Sequence, residues 1–156
     1  MRISDVLKQE NVHVFLRQTE KEPLMEEMVE LLMAGRSDGQ RAEALREVRL
    51  REEIGSTGIG EGVAIPHATL TGIDEMRACL GITSDPVAYE SIDGQPVRIF
   101  VLVLGPRGQS GLHLRFLARV ARLLKKRERR EALLGCRDAG QAWAVIEQFE
   151  ESQIDA

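Results

Sequence analysis

His67 is the residue of this chain whose setting best suits covalent chemistry. It follows the apolar run Val63-Ala64-Ile65, so we expect it where a strand leaves the core. Pro66 fixes its own φ at about −65° and therefore stiffens the backbone that leads into the imidazole. A rigid, accessible and neutral imidazole can attack phosphorus at pH 7 without a separate base. We therefore predict that His67 is a nucleophile for reversible phosphoryl transfer.

The glycine-rich stretch before His67 fits neither common nucleotide-binding loop. Residues 55–62 hold four of the fourteen glycines, but no lysine follows any of them, as a Walker loop requires. The dinucleotide fingerprint opens a helix, whereas Gly58, Gly60 and Gly62 alternate and lead into an apolar run. We interpret these glycines as positions for tight turns and positive φ.

A phosphorylated imidazole needs donors that neutralise its oxygens, and two residues are candidates. His113 begins the predicted helix 112–124, where backbone N–H groups also favour an anion. Arg51 lies in the last turns of the helix that runs into the glycines. Spacing alone equally allows an exposed first-turn residue at His113, the simpler interpretation, and an ordinary arginine at Arg51. His13 lies in the first predicted strand and is interpreted as structural.

Other chemistries have little support. Three dispersed histidines without carboxylates at ligand spacing make a poor zinc site, so we predict no metal and no cofactor. Cys79 and Cys136 are far apart and lack a Cys-x-x-Cys arrangement, which favours two inert, reduced thiols in the cytoplasm. The first residues lack the apolar segment of a signal peptide, and no run of 18 apolar residues predicts a membrane span.

A run of basic residues has three possible explanations. It could be a solvated helix face, a docking site for an acidic partner or a nucleic-acid patch. The net charge of −4 and the pI of about 5.5 argue against a dedicated nucleic-acid binder, and only Phe116 interrupts the run as an aromatic residue. The run comprises Arg115, Arg119, Arg122, Lys125, Lys126, Arg127, Arg129 and Arg130.

Hydrophobic periodicity supplies the elements that must position these residues. The 156 residues suit one domain, with neither an internal repeat nor a linker. The residues 97–104 are nearly all apolar, which predicts a strand buried on both faces. The pattern as a whole predicts a mixed α/β domain in which helices cover a small sheet. Strands are predicted at 12–16, 63–65, 76–82 and 97–104, and helices at 22–35, 44–54, 112–124, 128–135 and 138–150.

These residues resemble a known family. The segment from Arg51 to His67, which reads REEIGSTGIGEGVAIPH, is similar to the active-site signature of the fructose/mannitol-type enzyme IIA domains of the bacterial phosphotransferase system. Its Gly-Ser-Thr-Gly-Ile-Gly portion is most similar to the nitrogen-related branch, enzyme IIA-Ntr. The segment from His113 to Ala121 resembles that family's second active-site histidine and the helix that it starts. Element order agrees along nearly the whole chain, so residues 1–156 are identified as a single such domain.

The resemblance implies a fold and a site. The family fold is a three-layer α/β/α sandwich around a small mixed sheet. His67 matches the phosphorylated histidine, which accepts a phosphoryl group from an HPr-like carrier of the NPr type. His113 matches the histidine that hydrogen-bonds the phosphate, and Arg51 matches the arginine that borders the site. Ala68 departs from the family, which usually has glycine after the histidine.

The resemblance also implies a role. Members of the nitrogen branch are regulators that bind potassium-transport proteins and sensor kinases according to their phosphorylation state. The main alternative is a sugar-specific enzyme IIA that passes phosphate to an enzyme IIB. No nucleic acid and no membrane insertion are expected. A doubly charged phosphate in an apolar docking face disfavours docking, so we expect the unphosphorylated form to bind regulatory targets.

Overall fold

The computed structural model describes residues 1–154 of the chain. A short 3₁₀ helix, Ile3–Asp5, precedes the first strand. Six strands follow in chain order: β1 Leu7–Leu16, β2 Gly58–Gly60, β3 Val63–Ala64, β4 His67–Leu70, β5 Arg77–Val87 and β6 Val97–Pro106. The helices of the described residues are α1 Lys21–Leu32, α2 Asp38–Ile54, α3 Ser110–Lys125, α4 Arg127–Leu134 and α5 Ala139–Ile154.

The six strands form one mixed sheet, in which five follow the order β1-β5-β6-β3-β2. The sixth, β4, also pairs with β6, nearer the carboxyl end of β6 than β3 does. β5 runs antiparallel to β6, whereas β1 is parallel to β5 and both β3 and β4 are parallel to β6. The register places His67 opposite Val103 and Thr69 opposite Gly105. This pairing sets the site residues of β4 beside the carboxyl end of β6.

Two separate cores cover the two faces of the sheet. Along β6, the side chains of Phe100, Leu102 and Leu104 pack in one core with α1 and α2. Those of Ile99, Val101 and Val103 pack in the other core with α3, α4 and α5. The alternation follows from the two-residue period of a strand. The predicted three-layer α/β/α sandwich is therefore confirmed, including a central strand that is buried on both faces.

Part of the glycine-rich stretch is a β-strand, which the sequence does not predict. It forms β2 and pairs antiparallel with β3, through Gly58 opposite Ala64 and Gly60 opposite Val63. The turn between these strands needs positive φ, which is 97° at Gly60 and 75° at Gly62. The interpretation of these two glycines as turn positions is confirmed, but the strand itself was not predicted because a three-residue glycine strand lacks an apolar pattern.

None of the helices described for residues 1–154 combines the length and the apolar character that crossing a membrane requires. Within the same residues, the His, Cys, Asp and Glu side chains form no cluster of three that could hold a metal ion.

Candidate functional site

The predicted site residues meet in a cleft of about 310 Å³ between the two helical layers. His67 reaches it from β4, His113 from the first turn of α3, and Arg51 from the last turns of α2. Leu50 and Ile54 of α2 form part of its wall. The expectation that Arg51, His67 and His113 lie together is therefore met by the geometry, although α2 and α3 cover opposite faces of the sheet.

His67 begins a strand and does not end one. The expectation that it follows a strand leaving the core was wrong, because β3 ends at Ala64 and β4 starts at His67. The carbonyl of Pro66 accepts a hydrogen bond from the backbone N–H of Val103 at 3.0 Å, so the chain re-enters the sheet at this point. The His67 side chain is half-buried and remains open to the cleft.

A backbone contact sets the tautomer of His67. Its Nδ1 lies 2.8 Å from the carbonyl oxygen of Ile65. A carbonyl oxygen only accepts hydrogen bonds, so Nδ1 carries the proton and Nε2 is left with its lone pair. Of the two ring nitrogens, Nε2 is therefore the one that has a lone pair free to react.

His113 is buried, with 7% of its surface exposed. The simpler interpretation from spacing, an exposed residue in the first helical turn, was wrong. Neither of its ring nitrogens has a hydrogen-bond partner within the described part of the chain. Buried polar groups usually have partners, so an unpaired imidazole beside a cleft is suited to a ligand with oxygen acceptors. The ring centroid of His113 lies 5.6 Å from that of His67.

Burial keeps both imidazoles neutral near pH 7. Desolvation is the main reason that the pKa of His67 lies below its ordinary value. The hydrogen bond to Ile65 opposes this shift, the charge of Arg51 adds to it, and the charge of Glu52 opposes it. Burial also lowers the pKa of His113, and the neighbouring His67 lowers it further. One ring is thereby available as a nucleophile and the other as a neutral donor.

Arg51 is held at the edge of the cleft. Its Nη1 donates a hydrogen bond to the carbonyl oxygen of Gly55 at 2.8 Å, at the end of α2. The remaining guanidinium donors can reach an anion in the cleft, because a guanidinium has five N–H groups and one is used here. Arg51 therefore supplies a fixed positive charge on the α2 side of the cleft.

Ala68, the one departure from the resembled motif, is accommodated without strain. It lies within β4 opposite Leu104 and is buried. It is absent from the positive-φ residues of the described chain, so its methyl group opposes no left-handed backbone.

Much of the basic run makes stabilising contacts within the protein. Arg119 pairs with buried Glu150 at 2.8 Å, and Arg127 pairs with Glu131 at 2.8 Å. Arg130 donates to the last carbonyls of α3, and the guanidinium of Arg129 lies 4.7 Å from the centre of the Phe149 ring. These contacts favour the structural explanation of the run over a nucleic-acid patch.

Two functional contributions could not be found by sequence motifs. The Ile65 carbonyl belongs to the backbone and carries no side-chain signature. Gly105 makes room for His113, because a Cβ added at Gly105 would lie 2.6 Å from His113 Nδ1.

Comparisons with known proteins show which sequences and folds this chain is similar to. The family profile described as "Phosphoenolpyruvate-dependent sugar phosphotransferase system, EIIA 2" matches residues 5–149. The chain is 35% identical over 147 residues to a nitrogen regulatory protein of Bradyrhizobium diazoefficiens, covering 94% of this chain and 95% of that protein. It is 37% identical over 136 residues to the fructose-specific EIIABC component of Bacillus subtilis, covering 86% of this chain but only 21% of that protein.

A solved structure of a nitrogen regulatory protein has the same fold. The crystal structure of the nitrogen regulatory protein IIA-Ntr from Neisseria meningitidis superposes with a TM-score of 0.85 at 29% sequence identity. The superposition covers 92% of this chain and 98% of that protein.

Proposed function

Because this chain belongs to the type-2 enzyme IIA family of the phosphoenolpyruvate-dependent phosphotransferase system, we propose that it carries a phosphoryl group on His67. Members of the family are phosphotransferase components that carry phosphohistidine and take their phosphate from HPr-type carriers. The proposed donor is an HPr-like carrier of the NPr type. The proposed role is that of a phosphorylation-dependent regulator in the cytoplasm, with residues 1–156 acting as one domain.

The observation that carries the proposal is the hydrogen bond from His67 Nδ1 to the Ile65 carbonyl. With the proton on Nδ1, the Nε2 lone pair attacks the phosphorus of the donor's phosphohistidine. The P–N bond of the donor breaks as the bond to Nε2 forms, and its electron pair returns to the donor's ring. No base is needed at His67, since the attacking nitrogen carries no proton.

His113 and Arg51 are proposed to stabilise the transferred group. The charge of a transferring phosphoryl group lies on its equatorial oxygens, and preorganised donors there lower the barrier. His113 lines the same cleft and its buried ring nitrogens have no partner among residues 1–154, and Arg51 has a positive charge at the cleft edge. Neither donor is neutralised by a carboxylate within hydrogen-bond distance in the described structure.

The surface around the cleft suits a protein partner. Ile54, which lines the cleft, is 84% exposed, and Leu114, which follows His113 in α3, is 68% exposed. Leu50, which lines the cleft with Ile54, is also large, apolar and exposed. Exposed apolar residues gathered around one site favour protein docking. A phosphate dianion on His67 would place charge in this face, so we propose that the unphosphorylated form binds regulatory targets such as potassium-transport proteins or sensor kinases.

Phosphorylation by a labelled HPr-type donor tests the proposal. The product is expected to carry one acid-labile, base-stable phosphate, which His67→Ala abolishes. His13→Gln is the matched control, because His13 lies on β1 away from the cleft, and it should be labelled like the parent. His113→Ala should slow transfer by about tenfold or more while leaving His67 available. Undiminished labelling of the His67→Ala variant would contradict the site, and an unchanged rate in His113→Ala would remove that residue from the mechanism.

A sugar-specific enzyme IIA is the second candidate, favoured by the 37% identity to the fructose-specific EIIABC component. In that case phosphate would pass onward from His67 to an enzyme IIB. Incubation of the phosphorylated protein with a fructose-type enzyme IIB separates the two roles, since only the sugar-specific role predicts rapid loss of phosphate to that protein.

A further inference from the structure

Glu52 is a buried carboxylate outside the cleft that accepts hydrogen bonds from several residues. Its side chain is 6% exposed and pairs with Lys21 Nζ at 2.9 Å. It accepts hydrogen bonds from the Tyr89 hydroxyl at 3.1 Å, from the backbone N–H of Thr57 at 3.2 Å and from the Thr57 hydroxyl. The Lys21 ammonium also lies 4.5 Å from the centre of the Tyr89 ring. One carboxylate thus joins α1, α2, the start of the glycine-rich stretch and the segment after β5.

A short chain of hydrogen bonds leads from this carboxylate to the cleft. Glu52 holds the backbone N–H of Thr57. The carbonyl oxygen of Thr57 accepts a hydrogen bond from the backbone N–H of Ile65 at 3.0 Å. The carbonyl oxygen of Ile65 in turn accepts from His67 Nδ1 at 2.8 Å. The Ile65 carbonyl, which sets the His67 tautomer, is therefore linked to Glu52 by hydrogen bonds through Thr57.

We propose that Glu52 is a positioning residue for phosphoryl transfer, which holds Thr57 and thereby the Ile65 carbonyl that orients His67 with Nε2 unprotonated. The inference rests on the proposed function of His67. Glu52 does not line the cleft and does not touch the phosphate. Its charge opposes the lowering of the His67 pKa, and its positioning role is exerted through these backbone groups.

The network suits a carboxylate because the Lys21 ammonium, the Tyr89 hydroxyl and the N–H and hydroxyl of Thr57 all donate to it. A carboxylate has only acceptors and can receive hydrogen bonds from an ammonium, two hydroxyls and an N–H together. A glutamine at the same position brings an NH₂ group, which must face one of these donors. Glu52→Gln therefore removes the negative charge beside Lys21 and replaces one acceptor oxygen with a donor group, while keeping the shape of the side chain.

The first experiment compares Glu52→Gln with Glu53→Gln in transfer from the phosphorylated HPr-type donor. Glu53 is the next residue of α2 and is exposed, so its variant removes the same charge from the same turn. Small misplacement of a reacting group is costly, and we expect Glu52→Gln to slow transfer by about tenfold or more. Glu53→Gln should match the parent. Equal slowing of both variants would show a simple charge effect and would overturn the positioning role.

The second experiment reads the tautomer directly in the unphosphorylated protein. The ¹⁵N chemical shifts of the His67 ring separate the Nδ1–H form from the Nε2–H form. The parent and Glu53→Gln should show the Nδ1–H form, whereas Glu52→Gln should show a larger share of the Nε2–H form. A parent-like tautomer in a folded Glu52→Gln variant would overturn the inference.

A milder variant keeps the inference testable if Glu52→Gln does not fold. Tyr89→Phe removes one hydroxyl donor to Glu52 and preserves the ring that packs on Phe100. It should shift the tautomer and the transfer rate in the same direction by a smaller factor, and no shift would contradict the proposal. If the parent takes no phosphate on His67, the proposed function fails, but the tautomer measurement still decides whether Glu52 orients the ring.

Discussion

The imidazole rings of His67 and His113 lie with their centroids 5.6 Å apart and their planes inclined by 53°. At this spacing a phosphoryl group on one ring can reach a donor on the other. Burial lowers the pKa of both rings, so neither carries a charge that would repel the other near pH 7. The two rings come from β4 and α3, and their meeting depends on β6, which both elements contact.

Replacing Arg51 should slow transfer and change the ionisation of His67. The charge of Arg51 lowers the pKa of His67, so Arg51→Gln should raise that pKa. Loss of a donor at the cleft should also slow phosphorylation by about tenfold or more. NMR titration of His67 and the labelling assay measure the two effects. Arg46→Gln, on the exposed side of the same helix, is the control and should leave both unchanged. Transfer at the parental rate in Arg51→Gln would exclude a role for this guanidinium.

A methyl group at Gly105 should displace His113. The Cβ of Gly105→Ala would lie 2.6 Å from His113 Nδ1, a distance that requires the ring to move. We expect slower phosphorylation and a loss of about 1–3 kcal/mol in the free energy of unfolding, as in other overpacked sites. Gly39→Ala is the control, because its Cβ would meet open space in the first turn of α2. Parental rate and stability in Gly105→Ala would show that the His113 ring tolerates another position.

The free energy of unfolding should fall as the pH is lowered from 7.5 to 5.5. The pKa values of His13, His67 and His113 all lie below the ordinary value of 6.5, chiefly because of burial. The unfolded chain therefore binds more protons than the folded protein below about pH 6.5, and protonation favours unfolding. Urea denaturation across this interval measures the slope. His13→Gln should flatten it, since one of the three groups is gone. A stability that stays level or rises on acidification would contradict the prediction.

Glu150 should be among the most sensitive residues for stability. It is 1% exposed, pairs with Arg119 at 2.8 Å and accepts a hydrogen bond from the backbone N–H of Ile3. Removing one partner of a buried ion pair leaves the other uncompensated, so Glu150→Ala should cost about 3–5 kcal/mol of unfolding free energy. Exposed Glu151→Ala should change it by less than about 0.5 kcal/mol. Similar urea midpoints for the two variants would contradict the prediction.

The local hydrophobic pattern was sufficient to predict most of the helices and strands that build the three layers. The apolar run of β6 indicated a strand buried on both faces, and its residues do alternate between the two cores. The apolar spacing of α3 indicated its buried face, where Phe116, Val120 and Leu124 lie. These features depend on neighbours within one strand or one helix, so their period is visible in the sequence.

The short strands β2 and β4 were not predicted, because each of them forms only by pairing with another strand. β2 has three residues, of which two are glycines, and β4 has four residues that lie outside the predicted strands. Each becomes a strand only when its backbone meets β3 or β6. A partner remote in sequence leaves no local hydrophobic period.

Residue patterns alone were enough to predict a mixed α/β domain and to single out His67, and the resemblance to the enzyme IIA signature added the three-layer architecture and the role of Arg51. Only the tertiary structure decided that His113 is buried against Gly105, that the Ile65 carbonyl sets the His67 tautomer and that Glu52 collects Lys21, Thr57 and Tyr89. The physical reason is the range of the interactions. Helix and strand patterns arise between near neighbours, whereas hydrogen bonds and close approaches join groups that become neighbours only after the sheet is assembled.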